Sequence, residues 1–202
     1  MARKPRENIR AIETFDTIIS AASRVFAEKG FDGTSMRDIA EAAGISKALL
    51  FHHFKAKELL YEKVSLQSSQ GLVKFVQDRV DQVDDPLMRI KEFMIASAEY
   101  FEKNRWAWMA SSNSFWNDPN RSARAEQMRR RKLYETLLRN LLTEAVRQGH
   151  LREIDVAVTG RLLLSSLNWM NRWYNPEKPL RPAQIAEMYF DIILKGIGPE
   201  NR

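Results

Sequence analysis

The stretch that most constrains this chain is TSMRDIAEAAGISKALLFHHF, residues 34–54, where two short helical patterns meet across one glycine. Ile39, Ala40 and Ala43 recur at helical spacing, with Thr34 placed to cap the run and Asp38 near its first turn. Ser46 can cap a second run that begins at once and ends near Phe54. No room remains for a loop, so the chain must turn sharply, and Gly44 can take the positive φ that such a turn demands. Two short helices joined in this way describe a helix-turn-helix.

Each residue of the stretch then has a cause. Ile39, Ile45 and Leu50 face inward, and Ala40 is small where the helices cross. Ser46 caps the second helix and leaves its first N–H groups near a phosphate. Lys47, Ala48 and Leu49 fall on the outer side, where base edges would lie. Lysine can donate to guanine, and an alanine or leucine can touch a thymine methyl. His52 and His53 do not suit a metal: neighbouring helical side chains diverge by about 100°, and no third ligand is close in sequence. His53 is left between a phosphate contact and plain packing.

The remainder reads as all-α, with about nine helices, no strand-like alternation of any length and no internal repeat. The spacing predicts a helix over 14–29, a fourth over 57–76, and one entered at Asp84, Asp85 and Pro86. A short aromatic helix follows, then a long basic helix opened by Pro119 and stopped by Gly149. Two more cover 155–174 and 183–195, joined by a connector stiffened by Pro176, Pro179 and Pro182. Domains are expected at 1–56 and 57–202.

Composition narrows the function. There is no cysteine, so disulfide scaffolds and thiolate sites are excluded. No apolar run approaches the roughly 20 residues that span a bilayer, and the basic N-terminus MARKPRENIR has no apolar stretch behind it. A cytoplasmic protein with no membrane partner is expected. P-loop, dinucleotide fingerprint, nucleophile elbow and metal cluster are all missing, so neither an enzyme nor a cofactor is expected. The net charge of +6 is unevenly spread. Residues 1–60 carry ten Lys/Arg against eight Asp/Glu, while residues 119–152 carry nine against three. Arg3, Lys4, Arg6 and Arg10 form either an arm for the DNA backbone or minor groove, or a solvated tail.

Residues 30–60, GFDGTSMRDIAEAAGISKALLFHHFKAKELL, resemble the DNA-binding segment of the TetR family of transcriptional regulators. The glycine after the first helix, the Thr-Ser start, DIAEAAGIS, the HF pair and the K-E-L that follows carry the likeness. It implies a homodimeric, all-helical repressor on double-stranded operator DNA, released by a small-molecule effector. Carried over by position, it implies phosphate contacts from Thr34, Ser35, Arg37, His53 and Lys57 and base contacts from Lys47, Ala48 and Leu49. Phe51 stands where the family often has tyrosine, and Ala48 and Leu49 stand where it often has a polar pair. Base reading here therefore leans on thymine methyls.

The second half suits an effector pocket and a dimer interface. All five tryptophans lie at or after residue 106. A pocket between helices would draw on Phe93, Ser97, Tyr100, Trp106, Met109, Phe115, Trp116, Met128, Arg131, Leu163 and Asn168. Each of these has core packing as its alternative. Val158, Leu162, Ser165, Trp169 and Trp173 form one stripe over 155–174, and Leu163, Leu167, Met170 and Tyr174 another. A helix apolar on two sides is internal or shared with a second copy, and two such helices per subunit make a four-helix interface. NWMNRWYNPEKPL, residues 168–180, resembles a TetR branch that senses acyl-coenzyme A esters. Arg121, Arg124, Arg129, Arg130, Arg131 and Lys132 would then meet coenzyme A phosphates, or else form a solvated helix face. Control of efflux by aromatic or cationic compounds, and DNA binding without an effector, are the rival readings.

Overall fold

A computed structural model describes residues 4–114 and 121–197, with side chains described over 12–67, 71–110 and 125–195. The described residues form ten α-helices and no strand: α1 Lys4–Lys29, α2 Met36–Ala42, α3 Lys47–His53, α4 Lys57–Gln70, α5 Leu72–Val80, α6 Pro86–Lys103, α7 Arg105–Ser114, α8 Arg121–Arg147, α9 Val156–Trp173 and α10 Pro182–Ile197. The all-α expectation is met. The helix expected over 57–76 is interrupted at Gly71 and forms α4 and α5. The first helix begins ten residues earlier than its apolar pattern indicates, so the basic stretch at Lys4, Arg6 and Arg10 is helical backbone rather than a loose tail. Pro5 does not prevent this, because the first turn of a helix needs no N–H from it.

Local chemistry sets the boundaries. Gly30, Gly44 and Gly149 all have positive φ and follow α1, α2 and α8. After α2, the Ile45 N–H reaches the Ala40 carbonyl at 3.0 Å and the Gly44 N–H reaches Glu41 at 3.1 Å. These paired bonds are a Schellman stop, which closes orphan carbonyls and needs a left-handed residue at Gly44. Asp85 and Asp155 cap α6 and α9 by accepting from the Met88 and Val158 amides, at 2.8 and 2.9 Å. Asp84, Asp85 and Pro86 are thus helix entry.

The chain divides into two compact units. The first holds Met1–Ser69 and Trp106–Ala125, the second Gln70–Arg105 and Glu126–Arg202. In this grouping α7 belongs with α1–α4. In the first unit Ile18, Ala22, Phe26, Ile39, Leu50, Leu60 and Val64 form a core that excludes water almost completely and includes Ala110 of α7. In the second, α5 and α10 both pack on α6, and Phe93, Met94, Leu138, Leu142, Leu163 and Met170 are almost fully buried.

Candidate nucleic-acid interface

The first unit presents α3 as an outward edge on a buried anchor. Leu50 is 0 % exposed and fixes the rotation of the helix, while Leu49 is 39 % exposed. Lys47 and Ala48 lie on the same open side. Ser46 caps the helix by accepting from the Leu49 N–H at 3.1 Å. The Lys47 ammonium lies 5.7 Å from the Phe51 ring centre, which steadies a long side chain without hiding its charge. His52 is exposed and His53 half-buried, their rings edge to face at 5.6 Å. No cluster of three His, Asp or Glu side chains suited to a metal occurs among the described residues.

Helix α2 opens with a capping box. Ser35 accepts from the Asp38 N–H at 3.1 Å, and Asp38 accepts from the Ser35 N–H at 2.8 Å. The Ser35 hydroxyl also bonds the Asp38 carboxylate. Lys29 reaches Asp38 at 2.6 Å, and this bond, joined by those from Ser35, holds the carboxyl well below its ordinary range. Arg37, the residue before Asp38, is exposed.

Two residues expected to touch phosphate face elsewhere. Thr34 is buried, and its hydroxyl donates to the Gly30 carbonyl at 2.6 Å, closing the α1–α2 turn. Its contribution is internal, because a buried hydroxyl must find a partner within the fold. Lys57 donates to the carbonyls of Phe31 at 2.8 Å and Thr34 at 2.9 Å, with its ammonium 4.2 Å from the Phe31 ring centre. It joins the start of α4 to the α1–α2 turn. Nothing in the local sequence could have revealed this, since both carbonyls belong to a segment more than twenty residues away.

The residues expected around an effector are divided by the fold. Trp106 and Met109 belong to the first unit, exposed and half-buried respectively. Phe115 and Trp116 lie outside the described residues. In the second unit Phe93 and Ser97 are buried together with Tyr134, which the sequence reading missed although it heads the apolar series Tyr134, Leu138, Leu141, Leu142. The Tyr134 hydroxyl donates to Ser97 at 2.5 Å, and Ser97 donates to the Phe93 carbonyl at 2.6 Å. The Tyr134 and Phe93 rings stack at 4.9 Å, and burial raises the phenol's pKa. Leu163 is core, whereas Met128, Arg131 and Asn168 stand on the surface rather than in a buried lining. Arg130, the neighbour of Arg131, is half-buried, pairs with Glu126 at 2.6 Å and acts electrostatically on Tyr100.

On α9 the two expected stripes separate cleanly. Leu163, Met170 and Tyr174 are buried, while Val158, Leu162 and Trp169 are 59, 55 and 66 % exposed. On α10 Met188 and Ile192 are likewise open. No described helix is long and apolar enough to cross a membrane.

Two family models match the chain, and the second runs across residues 106–125 of the first unit. The family model described as "Bacterial regulatory proteins, tetR family" matches residues 18–64, and "Tetracyclin repressor-like, C-terminal domain" matches residues 83–197. The HTH-type transcriptional repressor KstR2 of Mycolicibacterium smegmatis is 30% identical, over 90% of this chain and 89% of its own length. The TetR family transcriptional regulator PfmR of Thermus thermophilus superposes with a TM-score of 0.83 at 38% identity, covering 91% of this chain and 99% of that one. AibR, solved in complex with isovaleryl coenzyme A and operator DNA, gives a TM-score of 0.75 at 25% identity, covering 89% and 97%.

Proposed function

Because the chain belongs to the TetR family of bacterial transcriptional regulators, we propose that it is a homodimeric repressor released from operator DNA by a small acyl-coenzyme A or apolar effector. The exposed edge of Lys47, Ala48 and Leu49 above the fully buried Leu50 carries this reading. Such an edge enters the major groove, with lysine for guanine and the two apolar side chains for thymine methyls. Ser35, Arg37 and His53 approach flanking phosphates, while Thr34 and Lys57 hold the turn that positions them.

The open stripes of α9 and α10 support a dimer. A surface that places Trp169 and Ile192 in water is covered most simply by its own copy, giving four helices about a two-fold axis. Two α3 helices then read half-sites about 34 Å apart. For the effector, the isovaleryl coenzyme A bound by AibR supports an acyl thioester, and the half-buried Arg130, whose charge acts on Tyr100, offers a cation. Release requires the effector to prefer the DNA-incompetent state, since equal affinity for both states shifts nothing.

The test is selection of DNA from a random pool by the wild-type protein, followed by titration with acyl-coenzyme A esters, free coenzyme A and aromatic cations. Acyl esters are expected to lower DNA affinity where free coenzyme A does not. Release by aromatic cations alone would favour efflux control, and no release by any compound a regulator without an effector. A DNA affinity indifferent to salt would overturn the DNA reading itself.

A further inference from the structure

Helices α4 and α5 are separated by one residue, and the interruption has a specific cause. In a continuous helix the Gly71 N–H would donate to the Gln67 carbonyl. Here it donates to the hydroxyl of Tyr100 on α6, at 3.2 Å. Tyr100 is braced against α5, its ring 5.7 Å from that of Phe75, over which the Lys103 ammonium lies at 5.1 Å. A side chain at residue 71 would also crowd Tyr100. A Cβ at residue 71 would stand 3.1 Å from the Tyr100 hydroxyl and 3.5 Å from its ring. The break falls two residues after the chain passes from the first unit into the second at Ser69–Gln70. It therefore lies on a covalent link to the DNA-binding unit.

We propose that the Gly71–Tyr100 bond is the switch by which the effector reaches that link: a ligand carbonyl or carboxylate that draws Tyr100 away frees the Gly71 N–H for Gln67, and α4 and α5 become one helix. This rests on the effector reading above and names the residue that senses it. Tyr100 suits the role because it accepts from Gly71 and keeps its own proton to donate to a ligand oxygen. Arg130, whose charge acts on the same hydroxyl, favours a ligand oxygen carrying negative charge. The sign follows from position. The ligand acts only by moving the hydroxyl off Gly71, so the interrupted helix is the effector-free, DNA-competent form.

The switch is tested without any effector. Gly71→Ala crowds Tyr100 and adds the strongest helix former, and Tyr100→Phe removes the acceptor. Both are expected to extend amide-exchange protection across residues 68–74 and to weaken binding to the selected DNA about tenfold, with dimerisation retained. Should Tyr100→Phe fold poorly, Gly71→Ala carries the test alone. Unchanged exchange, or DNA affinity equal to wild type, would overturn the switch. A wild-type protein that selects no DNA would instead overturn the function proposed above and the signalling role with it, whatever exchange shows.

Discussion

The Lys57 ammonium sits on the face of Phe31 at 4.2 Å and donates to that residue's own carbonyl at 2.8 Å. One side chain thus grips both the ring and the backbone of the α1–α2 turn, and Thr34 supplies a second carbonyl at 2.9 Å. Lys57→Met keeps the stem and loses all three interactions. It is expected to cost about 1.5–3 kcal/mol of stability, the range for hydrogen bonds made by a charged group. Denaturant unfolding checks the value. Operator affinity should fall with it, because the α2 cap begins at Ser35.

The buried chain Tyr134 to Ser97 to Phe93 carries an asymmetry. Ser97→Ala strands the Tyr134 hydroxyl without its acceptor and is expected to cost about 1–3 kcal/mol. Tyr134→Phe leaves Ser97 still donating to the Phe93 carbonyl and is expected to cost less. The double variant should be less damaged than the sum of the two, because it strands nothing. A double-mutant cycle from denaturant unfolding measures the coupling.

Asp38 makes the first unit sensitive to acid. Lys29 first, then Ser35, hold its carboxyl below the ordinary value of 3.8, so the folded state binds the proton less readily than the unfolded chain does. Its stabilising effect is therefore complete above that value and is lost as pH falls through and below it. Melting temperatures taken from about pH 6 down to pH 2 should decline less steeply for Asp38→Asn than for the wild type. Equal slopes would mean that the capping box contributes nothing to folding. The carboxyl is exposed, so salt should reduce the difference.

Local chemistry was legible and tertiary chemistry was not. Gly44, Ser46 and the Lys47–Leu49 edge could be read because caps, turns and helical phase depend on neighbours within four residues. Thr34 and Lys57 were read outward because short polar and cationic side chains on a DNA-facing segment suggest phosphate, whereas their partners are backbone carbonyls brought in by the fold. The break at Gly71 was invisible for the same reason. Val64, Leu72 and Val76 keep helical period straight through it, and only Tyr100, twenty-nine residues later, takes the amide away. Ala110 shows the limit at domain scale. Its helix is aromatic and amphipathic like the rest of the second half, yet its carbonyl accepts from Tyr61 at 2.7 Å inside the first unit's core.

The open face of α9 provides the last test. Leu162 and Trp169, seven residues apart and therefore on one side of the helix, are both more than half exposed, while Leu163 and Met170 beside them are core. A charge at Leu162 consequently meets water in a lone subunit and a second apolar face in a dimer. Leu162→Glu is expected to leave the helical content of the monomer intact and to shift the molecular mass in solution, measured by light scattering, from two copies to one. Leu163→Glu, one residue away, is expected to unfold the second unit, because an unpaired carboxylate in that core costs several kcal/mol, about 3–5 by analogy with broken buried pairs. The contrast separates an interface from a core at adjacent positions. A Leu162→Glu protein that stays dimeric would place the two-fold axis elsewhere. If it also bound operator DNA as tightly as the wild type, the arrangement of paired α3 helices proposed here would have to be abandoned.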